Sequence, residues 1–163
     1  MFNVKDYGAK GDGISMDSKA IQKAIDACFE AGGGTVYIPE GKYLCATVHI
    51  KANVHIWLDK GALILGSKNT DDFDDYELDA ADIEFQDRSH SYFHHSLFHA
   101  DNANDIAITG YGKIDMQSAW EDREYTDCHG KTYAWCRGAK AIAFKECTNV
   151  VIRDLLIRNV TDL

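Results

Sequence analysis

Two stretches of equal length, Leu97 to Asp115 and Ala141 to Asn159, repeat one pattern at an offset of 44 residues. Under that offset Phe98 meets Ile142, Ile106 meets Val150 and Ile108 meets Ile152, while the last strand of the unit slips by one position. Asn53 to Leu58 is an earlier copy, with Val54 and Ile56 in the same relation and Ala62 to Leu65 as its following strand. Self-similarity at this length points to a solenoid, because each unit is two or three short strands whose apolar face is buried only by stacking on the next unit.

A stack of that kind has open ends, and the chain begins with a cover for one of them. Between Asp17 and Gly34, Ala20, Ile21, Ala24, Ile25 and Cys28 recur at helical spacing, which predicts an amphipathic helix. Asp17 is the expected N-cap, its carboxylate accepting from orphan amides, and Gly32, Gly33 and Gly34 supply the stop and a tight turn. Thr35 to Pro39, β-branched and aromatic and closed by the single proline, reads as a strand. Met116 to Lys140 is too long for a turn and is expected to be a loop excursion, the kind of segment that carries binding on a rigid solenoid. No second cap is visible, so the final coil is expected to expose apolar interior and unpaired strand edges, and to favour end-to-end self-association.

Composition narrows the partners. The 163 residues are 45% hydrophobic, enough for a core. Apolar runs such as Ala62 to Leu65 fall far short of the roughly 20 residues a membrane helix needs, so no membrane partner is expected. The opening MFNVKDYG has no basic region followed by an apolar run, which predicts a cytoplasmic location, or an extracellular one if the sequence is incomplete. The net charge of −9 divides into −12 before His129 and +3 from there onward. With no basic stripe, nucleic acid is not an expected partner. An anionic polysaccharide would gain no long-range attraction and would depend on local cations. Cys28, Cys45, Cys128, Cys136 and Cys147 are odd in number and lack CxxC spacing, so they read as reduced, mostly buried thiols.

The opening residues Phe2 to Gly13 (FNVKDYGAKGDG), Asp17, Ala20 to Gln22, Ala24 to Ala27 and Gly32 to Tyr43 (GGGTVYIPEGKY) resemble the N-terminal signature of pectin-lyase-like proteins. The resemblance implies an all-β fold: a right-handed parallel β-helix with an N-terminal capping α-helix, of which residues 1–163 would be the N-terminal part of a single domain. Asn104 to Asp115 (NDIAITGYGKID), then Trp120, then Arg137 with Ala141 to Asn159, looks more narrowly like glycoside hydrolase family 28, the polygalacturonase-like enzymes. Met116 stands where that family usually has glycine, and Gly138 where it usually has proline. The resemblance implies inverting hydrolysis of galacturonate-containing polysaccharide or oligosaccharide, without a cofactor. The carboxylates of that chemistry sit about 6.5–9.5 Å apart, with water between acid and base. The family's paired aspartates and Gly-His-Gly segment do not occur here, so they are expected on later coils, with no catalytic residue in this chain and no activity from it alone. Asp162 reads as a turn residue.

Trp120 and Arg137 are the expected substrate contacts, an aromatic face for a sugar and a cation for a uronate. Trp135, Tyr125, Tyr133, Arg123, Lys131 and Lys140 share the excursion, which would otherwise pack on the solenoid by its own aromatics. No metal site is expected. The acidic run Asp71, Asp72, Asp74, Asp75, Glu77 and Asp79 lacks the spacing of an EF-hand loop and reads as solvated. His94, His95 and His99 lie in strand-rich sequence, where alternation of faces would scatter them. Asn159, Val160 and Thr161 match a glycosylation sequon unaccompanied by a secretory signal. A non-catalytic glycan-binding or tailspike-like module and a calcium-dependent lyase are the competing readings.

Overall fold

The computed structural model describes residues 1–75, 94–126 and 132–161, with 120–126 and 132–137 described by backbone alone. In chain order the strands are β1 (Phe2–Asn3), β2 (Asp12–Met16), β3 (Gly34–Ile38), β4 (Gly41–Cys45), β5 (Val48–His49), β6 (Val54–Leu58), β7 (Ala62–Gly66), β8 (Ser96–Asp101), β9 (Asn104–Gly110), β10 (Lys113–Asp115), β11 (Trp120–Thr126), β12 (Thr132–Gly138), β13 (Lys140–Lys145), β14 (Thr148–Ile152) and β15 (Leu156–Arg158). Helix α1 (Ser18–Glu30) lies between β2 and β3. Three parallel stacks result, β1-β3-β6-β9-β14, β2-β4-β7-β10-β15 and β5-β8-β13. After the first turn, in which α1 takes the place of a strand on the third stack, each full turn of chain lays one strand on each stack before stepping to the next level, which is a right-handed parallel β-helix.

The repeat in the sequence is the stacking register itself. Phe98 pairs with Ile142, Ile106 with Val150 and Ile108 with Ile152. The one-position slip is also real, since Ile114 pairs with Ile157. Inward side chains therefore line up in ladders: Val36, Ile56, Ile108 and Ile152 on the first stack, Tyr43, Ile64, Ile114 and Ile157 on the second, Val48, Phe98 and Ile142 on the third. Stacking aliphatic on aliphatic suits β-branched side chains on a pleated surface and removes from water each rung that the next coil covers. Asn53, Asp105 and Asn149 turn the chain at corresponding corners with φ of 60°, 56° and 53°, left-handed values that Asn and Asp tolerate through local hydrogen bonding. Asn149 donates its amide to Asp105 at 2.9 Å, tying successive corners together.

Helix α1 covers one end of the ladders, burying Ile21, Ala24, Ile25 and Cys28. Asp17 occupies the N-cap position but does not cap with its side chain. Its buried carboxylate instead accepts from the Lys10 and Gly11 amides at 2.7 and 2.9 Å, fastening the preceding loop. The glycine stop holds. Gly33 has φ of 104°, and a Cβ there would fall 2.5 Å from the Asn53 carbonyl oxygen of the next coil. At the other end Val150, Ile152, Leu156 and Ile157 are exposed on β14 and β15. Among the described residues no helix is long and apolar enough to cross a membrane.

Candidate functional site

The excursion after β10 is a hairpin. Strands β11 and β12 pair antiparallel from Trp120 opposite Gly138 to Thr126 opposite Thr132, so residues expected in a loop satisfy their backbone groups in a ribbon of their own. Trp120 and Arg137 sit at its root, one register step apart, Arg137 being opposite Glu121. Their side chains lie outside the described residues, as do Cys128, Lys131, Glu77, Asp79, Asp162 and the side chains of the hairpin's other aromatic and basic residues. The root is tightly built. A Cβ on Gly138 would come within 2.3 Å of Thr161 Oγ1, and that hydroxyl donates to the Ala119 carbonyl at 2.5 Å. A proline at 138 would displace Thr161, which gives this departure from the family 28 pattern a steric reason. Met116 is fully buried against Gly66, so it fills space a glycine would leave empty. The Asn159 side-chain amide donates to Asp115 at 2.8 Å, so the sequon asparagine is engaged in the fold.

A second cluster corrects the expectation that the histidines are scattered. Alternation governs one strand at a time, whereas parallel stacking puts residues of equal register directly above one another, and His49 of β5 pairs with His99 of β8. His94, just before β8, stacks its ring on His99 at 3.7 Å, and His49 meets both edge-on at 5.5 and 5.4 Å. Ring nitrogens of all three lie within 4.8 Å of one another. His95 turns away, its buried ring donating from Nδ1 to the Asp74 carbonyl at 3.0 Å. His94 and His95 have φ of 74° and 40°, left-handed conformations in consecutive non-glycine residues that only a well-determined surrounding maintains.

That surrounding is a set of hydrogen bonds from four elements. The Gln22 side chain on α1 accepts from the His49 amide at 2.8 Å and donates to the His49 carbonyl at 3.0 Å, imitating a neighbouring strand. Thr47 Oγ1 donates to the Ser96 carbonyl at 2.8 Å and accepts from the Asp74 amide at 2.8 Å. His99 Nδ1 lies 2.9 Å from the Ala143 carbonyl oxygen of β13. A carbonyl only accepts, so Nδ1 bears the hydrogen and Nε2 carries the lone pair in the neutral ring. Asp74 Oδ2 meets Nε2 of His49 at 2.6 Å and Nε2 of His94 at 3.2 Å. Burial pushes the Asp74 carboxyl up, but the hydrogen bonds and charges of His49 and His94 outweigh it and hold it below the usual carboxylate range.

Nothing in the sequence pattern marked His49, because its partners are 45 and 50 residues away. The sequence did mark the acidic run, and Asp74 of that run joins the histidines, while Asp72 accepts from the Ser67 hydroxyl and from the Asn69 side chain at 3.2 Å. Among the described residues His49, His94 and His99 are the only group of three or more His, Cys, Asp or Glu close enough to share an ion. Cys28, Cys45 and Cys147 are free thiols, and burial pushes Cys28 and Cys45 up, as inert core thiols require. The outer face of the first stack carries an aromatic group that sequence reading passed over: Trp57, edge-on to His55 at 6.0 Å and to exposed Tyr111 at 6.1 Å.

Residues 1–62 match the family described as Rhamnogalacturonase A/epimerase, pectate lyase-like. Mannuronan C5-epimerase AlgE2 of Azotobacter vinelandii is 55% identical over 65 residues, covering 34% of this chain and 6% of that protein. Plasmin and fibronectin-binding protein A of Streptococcus pneumoniae is 33% identical over 166 residues, covering 96% of this chain and 20% of that protein. The chain therefore spans a fifth or less of the length of these two relatives. Among solved structures, the Yersinia enterocolitica family 28 exopolygalacturonase matches 98% of this chain and 35% of its own, with 25% identity and a TM-score of 0.73. A hyperthermoactive exopolygalacturonase of Thermotoga maritima matches 98% of this chain and 41% of its own, with 21% identity and a TM-score of 0.75. With its capping helix, its three parallel stacks and these matches, the chain is a right-handed β-helix of the pectin-lyase-like superfamily.

Proposed function

We propose that this chain is the N-terminal part of a glycoside hydrolase that cleaves galacturonate-containing polysaccharide or oligosaccharide with inversion. The observation that carries the reading is the alignment of 98% of the chain with a family 28 exopolygalacturonase at 25% identity, on a β-helix that interrupts its coils with a hairpin rooted at Trp120 and Arg137. In this reading Trp120 stacks on a sugar ring and Arg137 pairs with a uronate carboxylate, the fork of its guanidinium matching the two oxygens. Acid and base aspartates, about 6.5–9.5 Å apart, would stand on coils stacked beyond β14 and β15. The test is the release of reducing ends from polygalacturonate. Turnover is expected from a chain extended through its later coils and absent from the 163 residues alone. Turnover by the 163 residues that disappears in Asp162→Asn would relocate the acid to this chain. No turnover by the extended chain on any uronate polymer would remove the hydrolase reading.

A second reading has its own observation. The match to plasmin and fibronectin-binding protein A extends over 96% of the chain at 33% identity, higher than the identity to either exopolygalacturonase. A non-catalytic binding module would capture plasmin or fibronectin in a pull-down without degrading any glycan, and that pair of outcomes separates the two.

A further inference from the structure

We propose that His49, His94 and His99, with Asp74 beside them, form a binding site for one divalent transition-metal ion of the zinc class. The site is independent of the reading above and lies on the third stack, where three imidazoles from two coils converge on one point.

The donor set selects the ion. Neutral imidazole suits zinc, copper and nickel, whereas calcium and magnesium take oxygen ligands, of which the cluster offers a single carboxylate. Three histidines plus one carboxylate or water complete a tetrahedral shell at zinc. The tautomers are prepared on one side: the Ala143 carbonyl holds the hydrogen of His99 on Nδ1 and leaves Nε2 as the ligand atom. His49 and His94 already direct Nε2 at the same oxygen, Asp74 Oδ2. A metal ion would take those two nitrogens by their lone pairs, the hydrogens now directed at Asp74 passing to Nδ1 of the same rings or, from a protonated ring, to solvent, and Asp74 would remain as fourth ligand or as acceptor for a bound water.

Nitrogen atoms on a tetrahedral zinc ion are about 3.3 Å apart, given Zn–N bonds of about 2.05 Å. The present spread, up to 4.8 Å, closes by ring rotation. His94 must turn out of its parallel stack with His99 so that the two lone pairs converge, and His49, 48% exposed, has room to follow. The backbone beneath need not move. Gln22 holds His49 by both its amide and its carbonyl, and Thr47 holds Asp74.

Zinc chloride titrated into the metal-stripped protein, followed by calorimetry, is the direct measurement, with cobalt chloride added in parallel for its visible absorption. One equivalent of zinc is expected, with an intense tetrahedral cobalt spectrum and no binding of calcium. His49→Ala and His99→Ala should each weaken zinc at least 100-fold and abolish the cobalt band, while His55→Ala, outside the cluster, should change neither. His49 is half-exposed, so His49→Ala tests the site even if His99→Ala fails to fold. Gln22→Ala, acting only through the position of His49, should weaken zinc about 10-fold. Absence of stoichiometric zinc binding, or binding unchanged in His49→Ala, would overturn the proposal.

Discussion

Asp115 ends strand β10 almost buried, yet every contact it makes is a donor: the Gln117 amide at 2.9 Å, the Asn159 amide at 2.8 Å, and Nε and a terminal nitrogen of Arg158, both at 2.8 Å. Burial pushes its carboxyl up, but these bonds and the guanidinium together hold it below the ordinary value. A carboxyl lowered in this way binds fewer protons folded than unfolded, so its contribution is complete above the unfolded value near 4 and is lost as pH falls through the folded one. Asp115→Asn should therefore lower unfolding free energy by about 1–3 kcal/mol at pH 7, and by less below pH 4, in urea titrations at the two pH values. Gly110 supplies a second test at this scale. It has φ of 129°, and a Cβ would fall 2.0 Å from the Leu58 carbonyl oxygen, so Gly110→Ala should cost about 2–4 kcal/mol by the same measurement.

At the scale of elements, hairpin and helix do different work. Helix α1 buries a full face, and its amphipathic spacing was legible because the period of 3.6 residues is local. The hairpin was not legible. Among the described residues its strands pair only with each other, and the mixture of aromatic and charged residues in Trp120–Thr126 does not alternate as a half-buried strand would. If its root faces substrate, Trp120→Ala and Arg137→Ala should each raise KM for polygalacturonate in the extended enzyme while leaving the unfolding temperature nearly unchanged. A large drop in unfolding temperature with unaltered kinetics would assign both residues to packing instead.

Across the whole molecule the ladders explain both stability and exposure. Each inward rung is covered by the one after it, and Ile152 and Ile157 are the rungs of β14 and β15 that nothing in the described residues covers. Covering such a side chain is worth about 1.5–3 kcal/mol, and the adjoining strand edge offers unpaired amides and carbonyls as well. The 163-residue chain should therefore associate through this end at rising concentration, and Ile152→Glu with Ile157→Glu should suppress it. Sedimentation velocity over a concentration series measures this, and a monomer at all concentrations would show the end to be closed in another way.

What the sequence determined by itself was the stacking. A repeat read at an offset of 44, including the slip in its last strand, is the register of β8 and β9 on β13 and β14, because in a parallel solenoid identical environments recur at identical positions. The helix, its glycine stop and the free core thiols were also local matters of spacing and burial. Tertiary structure alone decided that the Asp17 carboxylate serves a loop instead of the helix, that Gly138 must stay small against Thr161, and that His49 stands over His99 beside His94 and Asp74. Each of these depends on which atoms meet across coils, a distance in space that separation along the chain does not encode.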